Sequence, residues 1–372
     1  MIPVNVPLVD GNEKKYLAEC IETGWISSEG PFVKRFEEEF AARVGRKFGI
    51  AVCNGTAALE AAVAALEIGP GDEVILPSFT IISCAAAIVR AGATPVVVDC
   101  DPHTWNMTAE LVAEKMTAQT RAIMVVHIYG LPVDMDPLLE LAEKRGVSII
   151  EDAAEMHGQT YKGRSCGSFG DLSTFSFYPN KHITTGEGGM LLTDYKALAE
   201  RCRSLRNLCF QTQQRFVHEK LGYNLRMTNL QAAVGVAQLE RLDEFVARKR
   251  AMGQRYMEKL AGLGNVQLPL ARTAYADNIF WVFGLVLHEG FPLSAAGTMQ
   301  ELAAKGIGTR PFFWPMHEQP VFREMGLFKD VCCPVAENLA RRGFYLPSGL
   351  ALTEAEQDVV VSALLEIAKT GS

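Results

Sequence analysis

Short apolar, β-branched runs alternate with helical patterns along the first two thirds of the chain. Seven runs predict strands, over residues 49–53, 73–76, 95–98, 122–126, 147–151, 172–177 and 189–192. Between the first two, Leu59, Val63 and Leu66 recur at helical spacing. Alternating strands and helices predict a mostly parallel seven-stranded sheet covered by helices, which places the chain in the α/β class.

The pattern changes near residue 228. One long amphipathic helix is predicted over 228–260, and shorter elements follow it: a strand over 279–287, a helix over 295–305 and a terminal helix from residue 353. We therefore expect a large α/β domain over residues 1–240. A connector helix and a smaller C-terminal α+β domain are expected over 241–372.

Length and composition fit this division. The chain has 372 residues, which corresponds to roughly two and a half average domains. It is 48% hydrophobic and 21% charged, an ordinary globular composition. With 36 Lys and Arg against 43 Asp and Glu, the net charge is -7. This balance argues against a nucleic-acid partner or an anionic membrane surface, while a local pocket for a phosphate stays possible.

The apolar segments and the cysteines bear on location. The longest apolar stretch, 81–98, is interrupted by Arg90, Gly92 and Pro95, so no membrane helix is expected. The N-terminus lacks a basic start followed by an apolar core, so no signal peptide is expected. Nine scattered cysteines without a CxxC pair indicate reduced thiols in the cytoplasm, and the seven dispersed histidines suggest no metal site.

Four polar segments lie at or just after the carboxyl ends of predicted strands, the edge where open α/β sheets bind ligands. The first, Asn54-Gly55-Thr56-Ala57, precedes an alanine-rich helix. Gly55 permits a tight turn, and free N–H groups at the helix start, with the Thr56 hydroxyl, can hold an anion. Such a turn also occurs as a simple helix cap. It matches neither a Walker loop nor GxGxxG, so a nucleoside triphosphate or dinucleotide is not indicated.

The other three segments supply a carboxylate, an amine and further polar groups. Glu151 and Asp152 end a buried strand on opposite faces of the pleat, so only one can point into a site. The less favoured alternative is that Asp152 is a helix N-cap. Lys181 lies in a largely uncharged, Gly- and Thr-rich segment. Burial would lower the pKa of such an amine and make it a nucleophile towards carbonyls, although a lone lysine is usually a surface residue. The fourth segment, 222–231, is too polar for plain core.

An anion cradle, a strand-end carboxylate and a loop lysine are together what pyridoxal 5'-phosphate (PLP) requires. The lysine forms the Schiff base, the carboxylate keeps the pyridine nitrogen protonated, and the cradle takes the phosphate. Protonation makes the ring an electron sink and eases removal of an α-proton from the substrate. The sequence therefore predicts a PLP site at this edge of the sheet.

Seven segments, in order, resemble the sugar aminotransferases of the DegT/DnrJ/EryC1/StrS family. They are WISSEG (25–30), NGTAAL (54–59), GDEVILPSFT (71–80), HIYG (127–130), EDAAE (151–155), NKHITTGEGGM (180–190) and GYNLRMTNLQAA (222–233). The resemblance runs through nearly the whole chain. It implies the fold-type-I PLP architecture, an aminotransferase activity and a homodimer whose active sites form at the subunit interface.

The resemblance also implies roles for individual residues. Lys181 would carry PLP and then shuttle the proton, Asp152 would pair with the pyridine nitrogen, and Glu155 would lie beside the ring. The implied phosphate contacts are Gly55, Thr56, Ala57 and Ser176, together with Asn224 from the neighbouring subunit. The implied substrate contacts are Arg310 and His317.

The segment TRPFFWPMH (309–317) is similar to family members that aminate C4 of nucleotide-linked 4-keto-6-deoxysugars. This likeness implies L-glutamate as donor and a nucleotide sugar as acceptor, with GDP-linked sugars first. UDP- or dTDP-linked sugars and amination at C3 stay open. A related dehydratase branch has His in place of the lysine, but this chain has Lys181 followed by His182.

Three further expectations concern single residues. Relatives often have an aromatic side chain that stacks on the cofactor ring where this chain has Ile81. Either Ile81 covers the ring by apolar contact or a different side chain stacks. A PLP-fold protein without turnover would be expected to lack Lys181 or Asp152, and both are present. His127 follows a buried strand and is expected to be a hydrogen-bonded core residue rather than a ligand.

Overall fold

The computed structural model describes residues 1–211 and 213–369. Its strands are β1 Phe48–Val52, β2 Glu73–Pro77, β3 Thr94–Val98, β4 Thr120–Val126, β5 Ser148–Asp152, β6 Thr160–Tyr161, β7 Arg164–Ser165, β8 Leu172–Ser176, β9 Gly189–Thr193, β10 Val266–Gln267, β11 Phe283–Leu287, β12 Arg310–Pro311 and β13 Gly343–Leu346. Its helices are α1 Glu13–Thr23, α2 Pro31–Val44, α3 Gly55–Ala65, α4 Ile82–Arg90, α5 Ala109–Lys115, α6 Met135–Arg145, α7 Lys196–Arg206, α8 Asn229–Leu239, α9 Leu242–Leu260, α10 Ala295–Ala304, α11 Pro320–Glu324, α12 Pro334–Arg342 and α13 Glu354–Lys369. Within those ranges, none of the helices combines the length and the apolar character that crossing a bilayer needs.

The main sheet has seven strands in the order β1-β9-β8-β5-β4-β2-β3. All neighbouring pairs are parallel except those of β9, which runs antiparallel to β1 and β8. The expected mostly parallel seven-stranded sheet is confirmed, with each strand within two residues of its predicted bounds. Since β9 runs opposite to β8, the loop 177–188 turns at the carboxyl edge of the parallel strands and carries Lys181 there.

Both faces of this sheet are covered. Along β2, Val74 and Leu76 pack into one apolar cluster with α3 and α4, whereas Ile75 packs into another with α2 and α6. Successive strand residues point to opposite faces, so a strand that is buried on both sides is apolar at every position. This explains why the strands are continuous apolar runs in the sequence.

A second sheet of four antiparallel strands, β10-β11-β13-β12, follows in the C-terminal third. It packs with α9, α10 and α13 around its own core, which includes Phe283 and Phe344. The first residues of the chain bond to this part, since Gly308 donates to the Ile2 carbonyl at 2.8 Å. The expected smaller α+β unit is therefore present, while the domain boundary at residue 240 stays a prediction.

The predicted continuous helix over 228–260 is wrong in one respect, because the chain breaks between α8 and α9. Arg241 leaves helical geometry, at φ -113° and ψ 11°. Its guanidinium binds Glu244 at 2.7 Å and also Asp10, while Glu240 accepts a 2.6 Å bond from Tyr16. The apolar stripe continues through the break, so its spacing could not reveal a turn that is fixed by contacts with the N-terminal segment.

The predicted strand over 279–287 is also shorter than expected. Only Phe283–Leu287 forms β11, because Phe280 has φ +49° and Ile279 donates at 3.1 Å to the carbonyl of Gly130 in the main domain. Residues 279–282 are thus a loop that reaches the edge of the large sheet. An apolar composition marks burial and does not by itself separate a strand from a buried loop.

A buried arginine between α2 and β1 bonds to the segment before β8. The Arg46 guanidinium, with its side chain 3% exposed, donates to the carbonyls of Gly167 and Gly170 at 3.0 Å, and to Phe169. It also pairs with Asp194 at 3.0 Å. Removing this one cation would leave several buried acceptors without a donor.

We expect Arg46→Met to lower the free energy of unfolding by about 3–5 kcal/mol, because breaking a buried charged network leaves uncompensated polar groups. Urea unfolding followed by circular dichroism measures this. Arg43→Met is the matched control, since Arg43 pairs with Asp243 at the surface and an exposed pair contributes about 1 kcal/mol or less. Equal losses in the two variants would contradict the interpretation.

Candidate active site

A cavity of about 930 Å³ opens at the carboxyl edge of the large sheet. Its walls come from the N-terminus of α3, the ends of β5 and β8, the loop 177–188 and the loop before β11. All four polar segments predicted from the sequence reach this cavity: it brings Gly55, Asp152 and Lys181 together, and the fourth segment, 222–231, contributes Leu225 to its lining.

Lys181 is nearly enclosed. Its side chain is 11% exposed, and the Nζ atom lies 3.9 Å from Oε1 of Glu155 and 3.9 Å from the ring centre of Trp281. Burial lowers the pKa of this amine, while the carboxylates of Glu155 and Asp152 act in the opposite direction. The net direction is downward, so the neutral, nucleophilic form is more accessible than on a surface lysine.

Asp152 ends β5 and points into the cavity. It is 3% exposed, and its oxygens accept bonds from the Ala154 N–H at 3.1 Å and the Cys84 thiol at 3.3 Å. Burial raises the pKa of this carboxyl. An ionised Asp152 would therefore be stabilised by a ligand that presents a positively charged proton donor.

Glu151 faces the other side of β5, as the pleat predicts. Its carboxylate accepts bonds from the N–H groups of Gly167 and Phe169, at 2.5 and 2.8 Å, and from His127 Nε2 at 3.0 Å. The Val133 N–H donates to Nδ1 of His127, so Nε2 carries the hydrogen. His127 is thus a hydrogen-bonded buried residue, as expected.

The start of α3 forms the proposed anion cradle. The Asn54 side chain caps the helix by accepting a 2.8 Å bond from the Ala57 N–H, and the Thr56 hydroxyl lies 2.9 Å from that of Ser83. The first helical N–H groups, those of Gly55 and Thr56, point out of the helix without an intrahelical acceptor. A Cβ at position 55 would lie 2.7 Å from Cβ of Ser176, so only glycine leaves this space open.

Glu155 closes the cavity beside Lys181. Its Oε2 accepts a 2.6 Å bond from the Tyr129 N–H, and burial raises the pKa of the carboxyl to about 8, with Lys181 acting in the opposite direction. Burial raises the pKa of the carboxyl and lowers that of the amine, and at 3.9 Å the charge on either group affects the pKa of the other.

The unpaired polar atoms fit the group that the sequence predicts. Among the described residues, the buried Thr174 hydroxyl and the Asn180 Oδ1 atom have no hydrogen-bond partner, and both residues line the cavity. Asp152 has no basic side chain bonded to it there. A cationic proton donor at Asp152, an anion at Gly55 and an aldehyde within reach of Lys181 match PLP.

The other predicted site residues differ in whether they line this cavity. Arg310 lines the cavity and is exposed at its mouth. His317 does not line it: the residue is 2% exposed, with Nδ1 2.8 Å from the Ser78 hydroxyl and Nε2 3.1 Å from Glu337. We therefore correct His317 from a substrate contact to a residue that holds its loop. Asn224 is exposed and lies outside the cavity of its own chain.

Sequence reasoning missed two residues that touch the predicted groups. Trp281 lies in an apolar run that predicts a strand, and Cys84 fits the pattern of a small core hydrophobe. No spacing signal links either one to Lys181 or Asp152, because the contacts depend on the tertiary fold. Ile81 lines the cavity and is 43% exposed, so its side chain is free to contact a bound ring.

Known proteins resemble this chain over nearly its whole length. The pattern of the DegT/DnrJ/EryC1/StrS aminotransferase family matches residues 7–365. GDP-perosamine synthase of Caulobacter vibrioides is 45% identical over 367 residues, which cover 98% of each chain.

Two solved structures share the fold. DesV from S. venezuelae superposes with a TM-score of 0.89 at 36% identity, covering 96% of this chain and 94% of DesV. The PLP form of Spr1654 from Streptococcus pneumoniae gives a TM-score of 0.93 at 25% identity, covering 100% of this chain and 99% of the other.

The raised pKa of Glu155 has a consequence for stability. The folded apoprotein holds this proton up to about pH 8, whereas an unfolded glutamate releases it near its ordinary value, so this group's contribution to stability is lost as pH rises from 5 to 8. Glu155→Gln removes the titration. We expect the free energy of unfolding of the variant, relative to wild type, to rise by about 3–4 kcal/mol from pH 5 to pH 8.

Urea unfolding of the two apoproteins at both pH values measures this difference. Glu39→Gln is the control, since Glu39 lies in an exposed pair with Arg35. A Glu155→Gln difference that stays constant from pH 5 to pH 8 would contradict the effect of burial.

Proposed function

Because the chain belongs to the DegT/DnrJ/EryC1/StrS aminotransferase family, we propose that it moves the amino group of L-glutamate to the C4 keto group of a GDP-linked 4-keto-6-deoxysugar. The protein is a PLP-dependent sugar aminotransferase. The observation that supports the substrate is the 45% identity, over 98% of both chains, to a GDP-perosamine synthase.

In this proposal Lys181 and Asp152 do the central work. When bound, PLP supplies an electron sink for the bond that breaks at the substrate carbon. The Lys181 amine would hold the cofactor and, once free, would take a proton from the donor's α-carbon. It later returns a proton to the sugar carbon and so sets the new stereocentre. Asp152 pairs with the pyridine N–H and balances its charge.

The other cavity residues would hold and orient the cofactor and the substrate. Gly55, Thr56 and Ser176 surround the space for the phosphate, and Ala57 packs beside it although its N–H is bonded to Asn54. Glu155 lies beside the ring and can hold a proton next to Lys181. Arg310, at the cavity mouth, supplies a guanidinium that suits the diphosphate of a nucleotide sugar.

We also propose that the enzyme works as a homodimer with shared sites. Asn224 is exposed outside its own cavity, as expected of a residue that serves the neighbouring subunit. Exposed apolar side chains lie nearby along the chain, including Phe216 at 81% and Leu221 at 95% exposure. Nine free cysteines support the cytoplasm as its location, because reduced thiols persist there.

The donor half of the reaction can be tested without the sugar. With PLP bound and no sugar present, L-glutamate is expected to remove the visible absorption band of the lysine-bound cofactor and to release 2-oxoglutarate in equal amount. Lys181→Ala is expected to bind PLP without that band and to lose at least 1,000-fold in turnover, since both the covalent attachment and the proton carrier are gone.

Acceptor choice is tested on the glutamate-treated enzyme. Mixing it with GDP-, UDP- and dTDP-linked 4-keto-6-deoxysugars should restore the band fastest with the GDP-linked compound, and mass spectrometry of the product should locate the nitrogen at C4. Faster reaction with another nucleotide, or amination at C3, would replace the substrate assignment and leave the aminotransferase assignment in place.

The shared site is tested by mixing two inactive variants. Lys181→Ala and Asn224→Ala homodimers each have two damaged sites, but a mixed dimer has one complete site, built from Lys181 of one subunit and Asn224 of the other. After subunit exchange, an equal mixture is expected to recover roughly a quarter of wild-type activity. Recovery of none, with dimer exchange verified by native mass spectrometry, would show that both residues serve the same subunit's site.

A further inference from the structure

The indole of Trp281 lies directly over the reactive amine. The ring centre is 3.9 Å from Lys181 Nζ, and the tryptophan is 3% exposed, so the ring is an inner wall of the cavity. A cation at this distance from an aromatic face is attracted by the negative charge density of the ring. The same Nζ atom lies 3.9 Å from Oε1 of Glu155.

Three contacts fix the indole in place. Its Nε1–H donates a 2.7 Å bond to the carbonyl of Asn180, the residue immediately before Lys181. The backbone carbonyl of Trp281 accepts a 2.7 Å bond from Nζ of the buried Lys249 on α9. The ring of Tyr129 packs with it at a centre-to-centre distance of 5.8 Å. One side chain therefore contacts both the backbone and the amine of the lysine segment.

We propose that Trp281 is a positioning residue, whose indole N–H anchors the chain at Asn180 and whose ring face holds the free amine of Lys181 within the cavity. This inference rests on the proposed role of Lys181 as the PLP-binding lysine. Trp281 itself takes no part in bond making or breaking.

The need for such a residue arises from the reaction itself. During amino transfer the free Lys181 amine would have to take a proton from the donor's α-carbon and later deliver one to the sugar carbon. A free lysine side chain has four rotatable bonds and would leave this position unless something holds it. The ring face attracts the ammonium form and excludes water on that side, so the amine keeps its place while it carries the proton.

Several other titratable groups surround the amine and share in setting its protonation. They are Glu155, Asp152 and Cys84 on the acidic side and His157 and His182 among the buried rings. None of them is altered by a substitution at Trp281. A change in the pKa of Lys181 in Trp281→Leu therefore reports the loss of the ring face together with the loss of the indole N–H. Trp281→Phe, which loses the N–H but keeps a ring, separates the two.

The test measures Lys181 in the apoprotein, without any turnover. Trace acetic anhydride labels each amine according to its neutral fraction, and mass spectrometry of the Lys181 peptide at a series of pH values gives the pKa of that amine. Trp281→Leu keeps an apolar side chain but removes the ring, so the pKa of Lys181 is expected to fall by about one unit. Trp281→Phe keeps a smaller ring face and is expected to show less than half of that fall.

The holoenzyme provides the second readout. Both variants lose the indole N–H, so we expect kcat to fall about tenfold while KM for L-glutamate changes less than twofold, since the residue acts on Lys181 and not on the substrate. Trp314→Leu is the matched control for labelling, because Trp314 packs against Arg341 outside the cavity. It is expected to leave the pKa of Lys181 unchanged.

Each outcome bears on a different statement. An unchanged or raised pKa of Lys181 in Trp281→Leu, or a fall as large in Trp281→Phe, would overturn the role of the ring. If Trp281→Leu does not fold, as judged by circular dichroism, Trp281→Phe alone decides, and an unchanged pKa together with unchanged kcat would overturn the proposal. Borohydride trapping of PLP on a lysine other than Lys181 would instead refute the role proposed for Lys181.

Discussion

An amine and two carboxyl groups lie buried in one cavity, and the rest of the fold has to compensate for the cost of burying them. Lys181, Asp152 and Glu155 are each almost fully buried, and burial disfavours the charged form of every one of them. Mutual attraction offsets part of this cost. The rest has to come from packing elsewhere, which a sheet buried on both faces provides.

The last two residues of β5 show how structure and chemistry are separated over a single peptide unit. Glu151 points to the scaffold side, where its carboxylate collects two backbone N–H groups and His127. Asp152 points to the cavity, with only a backbone N–H and a thiol as donors. Because the pleat forces neighbours to opposite faces, fixing Glu151 also fixes the direction of Asp152. The hydrogen bonds of Glu151 thus fix the direction in which the Asp152 carboxylate points.

Local patterns predicted much of the fold and of the site. Seven strands and the segments around Gly55, Asp152 and Lys181 follow from apolar runs, strand ends and turn residues, because the main determinants are near in sequence. The misplaced features depend on distant contacts. The break at Arg241 is fixed by the N-terminal segment, and His317 is buried by Ser78 and Glu337. A motif places a residue in the chain, whereas its neighbours in space decide which way it faces.

The position of the loop before β11 depends both on a local motif and on contacts with residues far away in the chain. Gly130 ends the HIYG segment at φ +104°, and a Cβ there would lie 2.7 Å from the backbone nitrogens of Phe280 and Trp281. The glycine therefore lets this loop approach the large sheet closely enough for the indole to reach Lys181. Lys249 holds the same loop from the connector helix. The C-terminal part of the chain thus contributes to the site, since its loop before β11 completes the enclosure of Lys181.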